Sequence, residues 1–253
     1  MTPTQQHATL SAANCEVAFD NLTRQLYATD ASHYQIEPLA VAFPRDARQA
    51  SSIIQAAQQA GVSVIPRGAG TGLVGGAIGD GVVVDFSRYN RLVTEFDVDK
   101  HTVRVGAGVV LDQLNNFLRP QGYAFGPDVA TSSRATLGGM IANNSSGARC
   151  ALYGTTVEHV VELEIVLSDG KVLKVGPAHD TLKLQRTMLE DLAMLNGLQI
   201  GERFPPGLLK RWPGYALDRV LRQPANAINV LAGSEGTLAA ITSAVLKVVP
   251  TPD

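Results

Sequence analysis

The sequence predicts an α+β fold: an α/β subdomain with a parallel sheet, followed by a subdomain built mainly on an antiparallel sheet. Three observations carry that expectation. Strand, helix, strand, loop and strand patterns succeed one another from Leu39 to Phe86, the order that builds a parallel sheet. From about Asn90 the pattern changes to half-exposed alternating strands and a hairpin centred on Asp169-Gly170, a strong short-turn signal. Glycine is also unevenly placed: of 24 in the chain, six fall between Gly68 and Gly79, and others crowd Gly138 to Gly154.

In chain order, residues 1–13 read as a polar, frayed tail. Cys15, Phe19, Leu22 and Leu26 then recur at i, i+4, i+7 and i+11, which predicts a helix near 14–28 with one buried face. Residues 1–38 are thus expected to form an N-terminal helical segment. Leu39–Phe43 reads as a strand stopped by Pro44, and Asp46 stands as the N-cap of a helix whose inner face is Ala50, Ile53, Ile54 and Ala57 and whose C-cap is Gly61. Val62–Ile65 and Val82–Phe86 are further buried strands, with Asp80-Gly81 turning into the second. The first subdomain is expected over 39–91 and the second over 92–253.

In the second, Thr102–Val105 alternates like a half-exposed strand and a helix spans Leu111–Leu118 before Pro120. Val157–Leu167 and Lys171–Val175 form the hairpin. A helical insertion is expected at 177–228, where Leu184, Met188, Leu192 and Leu195 make an amphipathic helix closed by Gly197. Residues 201–228 are loop-rich, and Ile241–Val249 alternates as the last strand.

Composition narrows the function classes. With 23 acidic against 21 basic side chains, a net charge of -2 gives no field to draw in nucleic acid or an anionic bilayer. No run approaches a membrane span, and Met1–Ala12 lacks the basic and apolar blocks of a signal peptide, so a cytoplasmic chain is expected. Cys15 and Cys150 form no CxxC and read as free thiols, and no pair of histidines has metal-ligand spacing.

The chemistry is concentrated in the glycine-rich segments. Pro66-Arg67-Gly68-Ala69-Gly70-Thr71-Gly72-Leu73-Val74-Gly75-Gly76 directly follows a buried strand, where loop N–H groups can cradle a phosphate. A Walker loop is excluded because no Gly-Lys-Ser/Thr follows. Gly70, Gly72 and Gly75 satisfy GxGxxG literally, but a dinucleotide fingerprint needs those glycines to open a helix, and Gly76, Gly79 and Gly81 follow instead. A glycine-rich turn with no ligand stays open, against the entropy that so many glycines cost. A second segment runs from Ala135 to Gly147 with Thr136, Asn143, Asn144 and Ser146 as hydrogen-bonding groups. A third is Gly233-Ser234-Glu235-Gly236-Thr237-Leu238. Three such loops over both subdomains suggest an elongated ligand between them, with a phosphate end and a ring end.

These segments, with Phe125-Gly126-Pro127-Asp128 and Tyr153-Gly154 between them, resemble the FAD-binding domain of the vanillyl-alcohol oxidase, or FAD-linked oxidase, superfamily. Within it they look most like the D-2-hydroxyacid dehydrogenases: D-lactate, glycolate and D-2-hydroxyglutarate dehydrogenases. The similarity runs from about Leu39 to Pro250. Tyr27 to Tyr34 and Gly214 to Asp218 look more like the long bacterial members, which append an iron–sulfur domain.

The resemblance implies the vanillyl-alcohol oxidase type of FAD-binding fold. It implies that Arg67, Gly68, Ala69, Gly70, Thr71 and Gly72 wrap the FAD pyrophosphate through backbone N–H groups, with Pro66 before them counted among the cofactor-binding residues, and that Gly75 and Gly76 continue the loop. Pro127, Asp128, Thr136, Gly138, Gly139, Asn143 and Ser146 would line the flavin and ribityl region, and Gly147 and Tyr153 are counted among the cofactor-binding residues with them. Glu235, Gly236 and Ile241 would lie nearer the adenosine end or the closing strand. Covalently flavinylated relatives have a histidine after the first glycines, whereas Thr71 stands near that place here, so dissociable FAD is implied.

In that family a hydride passes from the substrate's α-carbon to the flavin while a base removes the hydroxyl proton. The base, the carboxylate-binding arginine and, in several members, a divalent metal come from a cap domain after the FAD domain. The sequence reaches Asp253, where that cap would begin, so the catalytic residues are unassigned, no metal site is expected, and the cap is expected to be missing. The chain is expected to be the FAD-binding domain of an oxidoreductase that takes a hydride from a D-2-hydroxy acid, met through a cap or a partner subunit, with the electron acceptor unassigned. The alternative is a non-catalytic flavin-carrying electron-transfer or accessory subunit, and a nicotinamide-linked reductase ranks last.

Several single residues carry both a bland and a functional reading. His101 reads as a solvated turn residue, His159 as structural or surface, and His33 as local packing unless it approaches the cofactor. Arg149 reads as solvated unless it meets a carboxylate or phosphate, and Trp212 as packing the insertion on the core.

Overall fold

The computed structural model describes residues 1–251 except 180, 205, 206, 208–213, 224 and 225. Trp212 lies outside the described residues.

The apolar runs 40–43 and 82–85 become the central strands of a parallel sheet, buried on both faces, while the run expected to be buried at 62–65 gives an edge strand, 64–67, that is half-buried. Strands β2 (Ala40–Phe43), β3 (Val64–Arg67) and β4 (Val82–Asp85) pair in the order β2-β4-β3, all parallel. Helix α3 (Ala47–Ala60) joins β2 to β3: Asp46 accepts from the Gln49 amide at 2.9 Å, and Gly61 closes the far end at φ +64°. Its buried face carries Ala50, Ile53, Ile54 and Ala57, the period expected of it.

The N-terminus corrects two expectations. Residues 1–13 are not a frayed tail: α1 (Pro3–Ser11) starts in a Thr2/Gln5 capping box, buries Leu10 completely and packs on α3. The helix expected near 14–28 is instead strand β1 (Glu16–Ala18), antiparallel to β2, followed by short helix α2 (Asn21–Leu26). Two local forces divide it. The open edge of β2 offers unpaired backbone groups, and Asp20 caps a new helix by accepting from the Thr23 amide at 2.9 Å. Leu22 and Leu26, whose spacing suggested a buried face, are 69% and 66% exposed.

The second sheet is antiparallel throughout. Strands β5 (Val93–Asp97), β6 (Thr102–Gly106), β8 (Val160–Val166), β9 (Val172–Val175) and β10 (Ala240–Lys247) stand in the order β5-β6-β10-β8-β9. The last long strand is thus central, with Ala244 opposite Val105 on one side and Leu163 on the other. Gly170 turns the β8–β9 hairpin at φ +81°, although Thr156–His159 is a 3₁₀ turn and β8 starts only at Val160. Strands β7 (Tyr123–Ala124) and β11 (Val249–Pro250) form a small ribbon. Helix α4 (Leu111–Leu118) follows β6, while α5 (Leu137–Ala142) and α6 (Cys150–Tyr153) precede β8.

Between β9 and β10 lie α7 (Lys183–Arg203), α8 (Leu217–Arg222) and α9 (Ile228–Leu231). Helix α7 does not close at Gly197 but continues through it and Gly201, since neither glycine takes a left-handed backbone. The face expected to be buried is outward: Leu195 is 77% exposed, while Ile200 is buried and Gly197 sits against Leu221 of α8.

One continuous core runs from α3 through both halves to β10. Ser51 of α3 donates to the Gly170 carbonyl at 2.6 Å, tying the first helix to the hairpin of the second sheet. At the junction of the halves stand the loop after β3, the start of α5 and the loop before β10.

Candidate functional site

The loop from Gly68 to Gly81 between β3 and β4 contains no helix. None of the backbone N–H groups from Gly68 to Gly76 donates to a protein acceptor among the described residues. Across from it, Thr136 caps α5, its hydroxyl accepting from the Gly139 amide at 3.4 Å. The third segment docks on the end of that helix, since the Gly233 amide donates to Ile141 O at 3.0 Å and the Glu235 amide to Ala142 O at 2.9 Å. The three loops enclose a cavity of about 450 Å³, within the usual range for a small-molecule site.

Most of the residues singled out in the sequence meet there. Pro66, Arg67, Gly68, Ala69, Gly70, Thr71, Gly72 and Gly76 form one wall; Thr136, Gly138, Gly139 and Asn143 form the second; Glu235, Gly236 and Ile241 form the third. Six others do not line it. Gly75, at φ +79°, faces outward to Tyr34, whose ring a Cβ would meet at 3.0 Å. Asp128 and Gly147 lie against each other: a Cβ on Gly147 would stand 1.6 Å from the Asp128 carbonyl oxygen, and Asp128 Oδ1 accepts from the Arg149 amide at 3.3 Å. Pro127 is buried beside Asp128. Tyr153 offers its carbonyl to His159 Nε2 at 2.8 Å. Ser146 stands one residue beyond Ser145, which does line the cavity.

The sequence reading missed Phe86, Ala107, Val129, Thr131 and Met140 on the cavity wall. Phe86 ends a strand that was legible, so its place at the mouth of the parallel sheet was available as a signal. Val129 and Thr131 sit in an irregular stretch with no periodicity.

Glycine does two kinds of work here. Gly68 lets the first loop close on Thr136, whose Oγ1 a Cβ would meet at 2.2 Å, and Gly138 lies on Ala107, whose Cβ a new Cβ would meet at 2.7 Å. A Cβ on Gly72 would meet nothing within 4 Å, and Gly72 has no left-handed backbone. Neither packing nor conformation within the chain therefore demands glycine at 72, and the space beside it is free for a ligand.

Among the described residues the lining carries two ionisable side chains, Arg67 and Glu235. Burial lowers the pKa of the Arg67 guanidinium, with Asp85, Tyr27 and Asp30 countering, and the group is committed to backbone carbonyls (Ala77 O at 2.9 Å, Thr29 O at 2.8 Å). Glu235 holds a left-handed backbone, φ +52°, a strained state for a side chain of this kind.

The remaining candidates lie elsewhere. His159 is buried, edge-on to Phe125, and its Nε2 carries the proton because Tyr153 O can only accept. His101 is exposed in a turn at φ +52° against Tyr123, and His33 and Arg149 are exposed outside the cavity. Among the described residues no cluster of three His, Cys, Asp or Glu could hold a metal ion, and no helix is long and apolar enough to cross a membrane.

A family described as "FAD binding domain" matches residues 38–176. The chain is 38% identical over 247 residues to a D-2-hydroxyglutarate dehydrogenase of Escherichia coli, covering 90% of this chain and 24% of that protein. It is 32% identical to a D-lactate dehydrogenase of Archaeoglobus fulgidus, with coverages of 85% and 39%. It is 30% identical to the glycolate oxidase subunit GlcD of Bacillus subtilis, with coverages of 92% and 42%. The chain thus spans about a quarter of the length of the D-2-hydroxyglutarate dehydrogenases it matches. Among solved structures, an alkyldihydroxyacetonephosphate synthase superposes with TM-score 0.69 at 22% identity, over 94% of this chain and 38% of that one. Physcomitrella patens BBE-like 1 superposes with TM-score 0.70 at 17% identity, over 99% and 45%; these two likenesses concern the fold.

Proposed function

The chain belongs to the FAD binding domain family, and from that premise we propose that it is the cofactor-holding part of a flavin-dependent oxidoreductase acting on the CH–OH group of a D-2-hydroxy acid. The observation that carries the reading is the run of amides from Gly68 to Gly76 without a protein acceptor among the described residues, along one wall of a cavity. Backbone N–H groups are costly to leave unpaired where water is excluded, and successive loop amides suit an anion. FAD fits this donor set: its pyrophosphate supplies acceptors for the amides, and the space beside Gly72 admits a ligand where a side chain would intrude.

In this reading Gly68 to Gly72 and Gly76 hold the pyrophosphate through their backbone N–H groups, Pro66 and Arg67 open that wall, and Gly75 completes the turn. Thr136, Gly138, Gly139 and Asn143 line the flavin and ribityl part, with Thr136 and Asn143 supplying polar atoms. Glu235, Gly236 and Ile241 face the adenosine end. Pro127, Asp128, Ser146, Gly147 and Tyr153 support the wall from behind. Binding is non-covalent, with Thr71 in the first loop. The isoalloxazine ring supplies the hydride-accepting chemistry when bound; the chain's own residues bind it, orient it and keep water from its buried side with Phe86, Ala107, Val129 and Met140.

The two halves, 39–91 and 92–253, clasp the cofactor between them, with 1–38 added to the first and 177–228 inserted in the second. The names of the relatives support D-2-hydroxyglutarate, D-lactate or glycolate as substrate. Cys15 and Cys150 are not joined to each other in a disulfide, which supports a reducing, cytoplasmic setting.

The test is retention of flavin: protein mixed with excess FAD and passed through gel filtration should keep flavin absorbance, and loss of all flavin overturns the reading. A second reading, a flavin-carrying subunit that relies on a partner for proton removal, is favoured by the lining itself. Arg67 is occupied by carbonyls, and Glu235 is the single carboxylate of the wall among the described residues. Anaerobic titration with the three acids separates the two: bleaching by the chain alone supports the first, bleaching only on addition of a partner the second.

A further inference from the structure

The amides of the cavity-lining glycine loop from Gly68 to Gly76 have no protein acceptor among the described residues, so its shape must be held by other groups. Those groups lie behind it, in the segment from Tyr27 to Ser32. Arg67, the residue before the loop, donates from Nη1 to the carbonyl of Ala77, the residue after it, at 2.9 Å. One side chain thus joins the loop's two ends. The same guanidinium donates to Thr29 O at 2.8 Å and Tyr27 O at 3.4 Å, and lies over the Tyr27 ring at 5.1 Å. Gly70 wraps over it at φ +66°, where a Cβ would stand 2.7 Å from Nη2.

Asp30 makes the opposite contact. Its carboxylate accepts from the Ala77 amide at 3.4 Å and the Ser32 amide at 2.8 Å, and the Ala31 amide donates to Gly70 O at 2.9 Å. Tyr27 is itself fixed, its hydroxyl donating to buried Asp85 at 2.5 Å. The loop is therefore attached at its start, middle and end to one short segment that does not line the cavity.

We propose that the side chains of Arg67 and Asp30 are positioning groups: together with the 27–32 segment they clamp the 68–77 loop into its anion-binding shape and so set the affinity for the pyrophosphate without either side chain touching it. This rests on the FAD reading above. It differs from what the motif alone suggests, in which an arginine beside a phosphate loop is a charge for the phosphate. Arginine suits the task because its planar fork can serve three carbonyls at once, which a lysine ammonium cannot do in the same geometry.

The experiment measures dissociation constants for FAD and for ADP, by flavin fluorescence and calorimetry, in the wild-type chain and in Arg67→Lys, Arg67→Ala and Asp30→Asn, with the thermal midpoint of each ligand-free protein. The clamp is supported if FAD and ADP weaken together by tenfold or more in Arg67→Ala and by a smaller factor in Asp30→Asn, with Arg67→Lys between wild type and Arg67→Ala. Should Arg67→Ala not fold, Arg67→Lys and Asp30→Asn give the same comparison. The clamp is overturned if the folded variants bind both ligands within twofold of wild type, including the case in which only their thermal midpoints fall. A wild-type chain that binds no FAD counts against the cofactor reading instead.

Discussion

Gly72 and Gly147 stand in segments of similar composition, yet a Cβ on the first would touch nothing within 4 Å, while on the second it would lie 1.6 Å from the Asp128 carbonyl oxygen. The first glycine-rich segment leaves its amides from Gly68 to Gly76 without a protein acceptor among the described residues; the second spends glycines on packing, Gly138 against Ala107 and Gly147 against Asp128. A glycine-rich run can therefore serve a ligand or serve close approach of the chain to itself, and only the environment of each Cα tells which.

The largest expected effect breaks the second region. Gly147→Ala forces the backbone at Asp128 to move and should lower unfolding free energy by about 3 kcal/mol, the upper part of the range for overpacking, in urea titration of the ligand-free chain. Next, Gly72→Val should leave stability within about 0.5 kcal/mol but weaken FAD by about tenfold, about 1.4 kcal/mol. Equal stability losses in the two variants would erase the distinction.

A smaller effect concerns pH. Although burial acts to raise it, the Asp30 carboxyl is held below its usual value by hydrogen bonds from Ser32 and Ala77, with Arg67 adding to them. A lowered folded-state pKa contributes stability that is complete above the unfolded value and is lost as pH falls through the folded one. The Asp30 contribution should accordingly be constant from pH 8 to 5 and decline only below about 4, and Asp30→Asn should remove that part of the acid limb in a comparison of unfolding curves. Smallest is the response to salt. In the proposed site amides, not mobile surface cations, form the cradle, so FAD affinity should change little between low and high ionic strength, whereas a site built on exposed lysines or arginines is screened.

Much of the fold was legible because local signals agreed with the final structure. Asp46 and Gly61 bound α3 on both sides, and Asp169-Gly170 marked the hairpin. Cys15, Phe19, Leu22 and Leu26 misled, because an open strand edge next to them competes with helix and their spacing cannot report that edge. The leucines of α7 misled in another way: a helical period shows that a face is apolar, not that anything covers it. In the candidate site, the loop with unpaired amides could be read from its glycine content, but the Arg67 side chain's partners could not. Its partners at Thr29 and Ala77 come from pairings that no local pattern encodes. The same holds for Val129 and Thr131, brought to the wall by the path of an irregular segment.

The most direct measurement is amide hydrogen exchange with and without FAD. Slower exchange across Gly68 to Gly76 on FAD binding, with the Gly147 region little changed, is the expected result; bound FAD that leaves exchange across Gly68 to Gly76 unaltered contradicts the amide cradle.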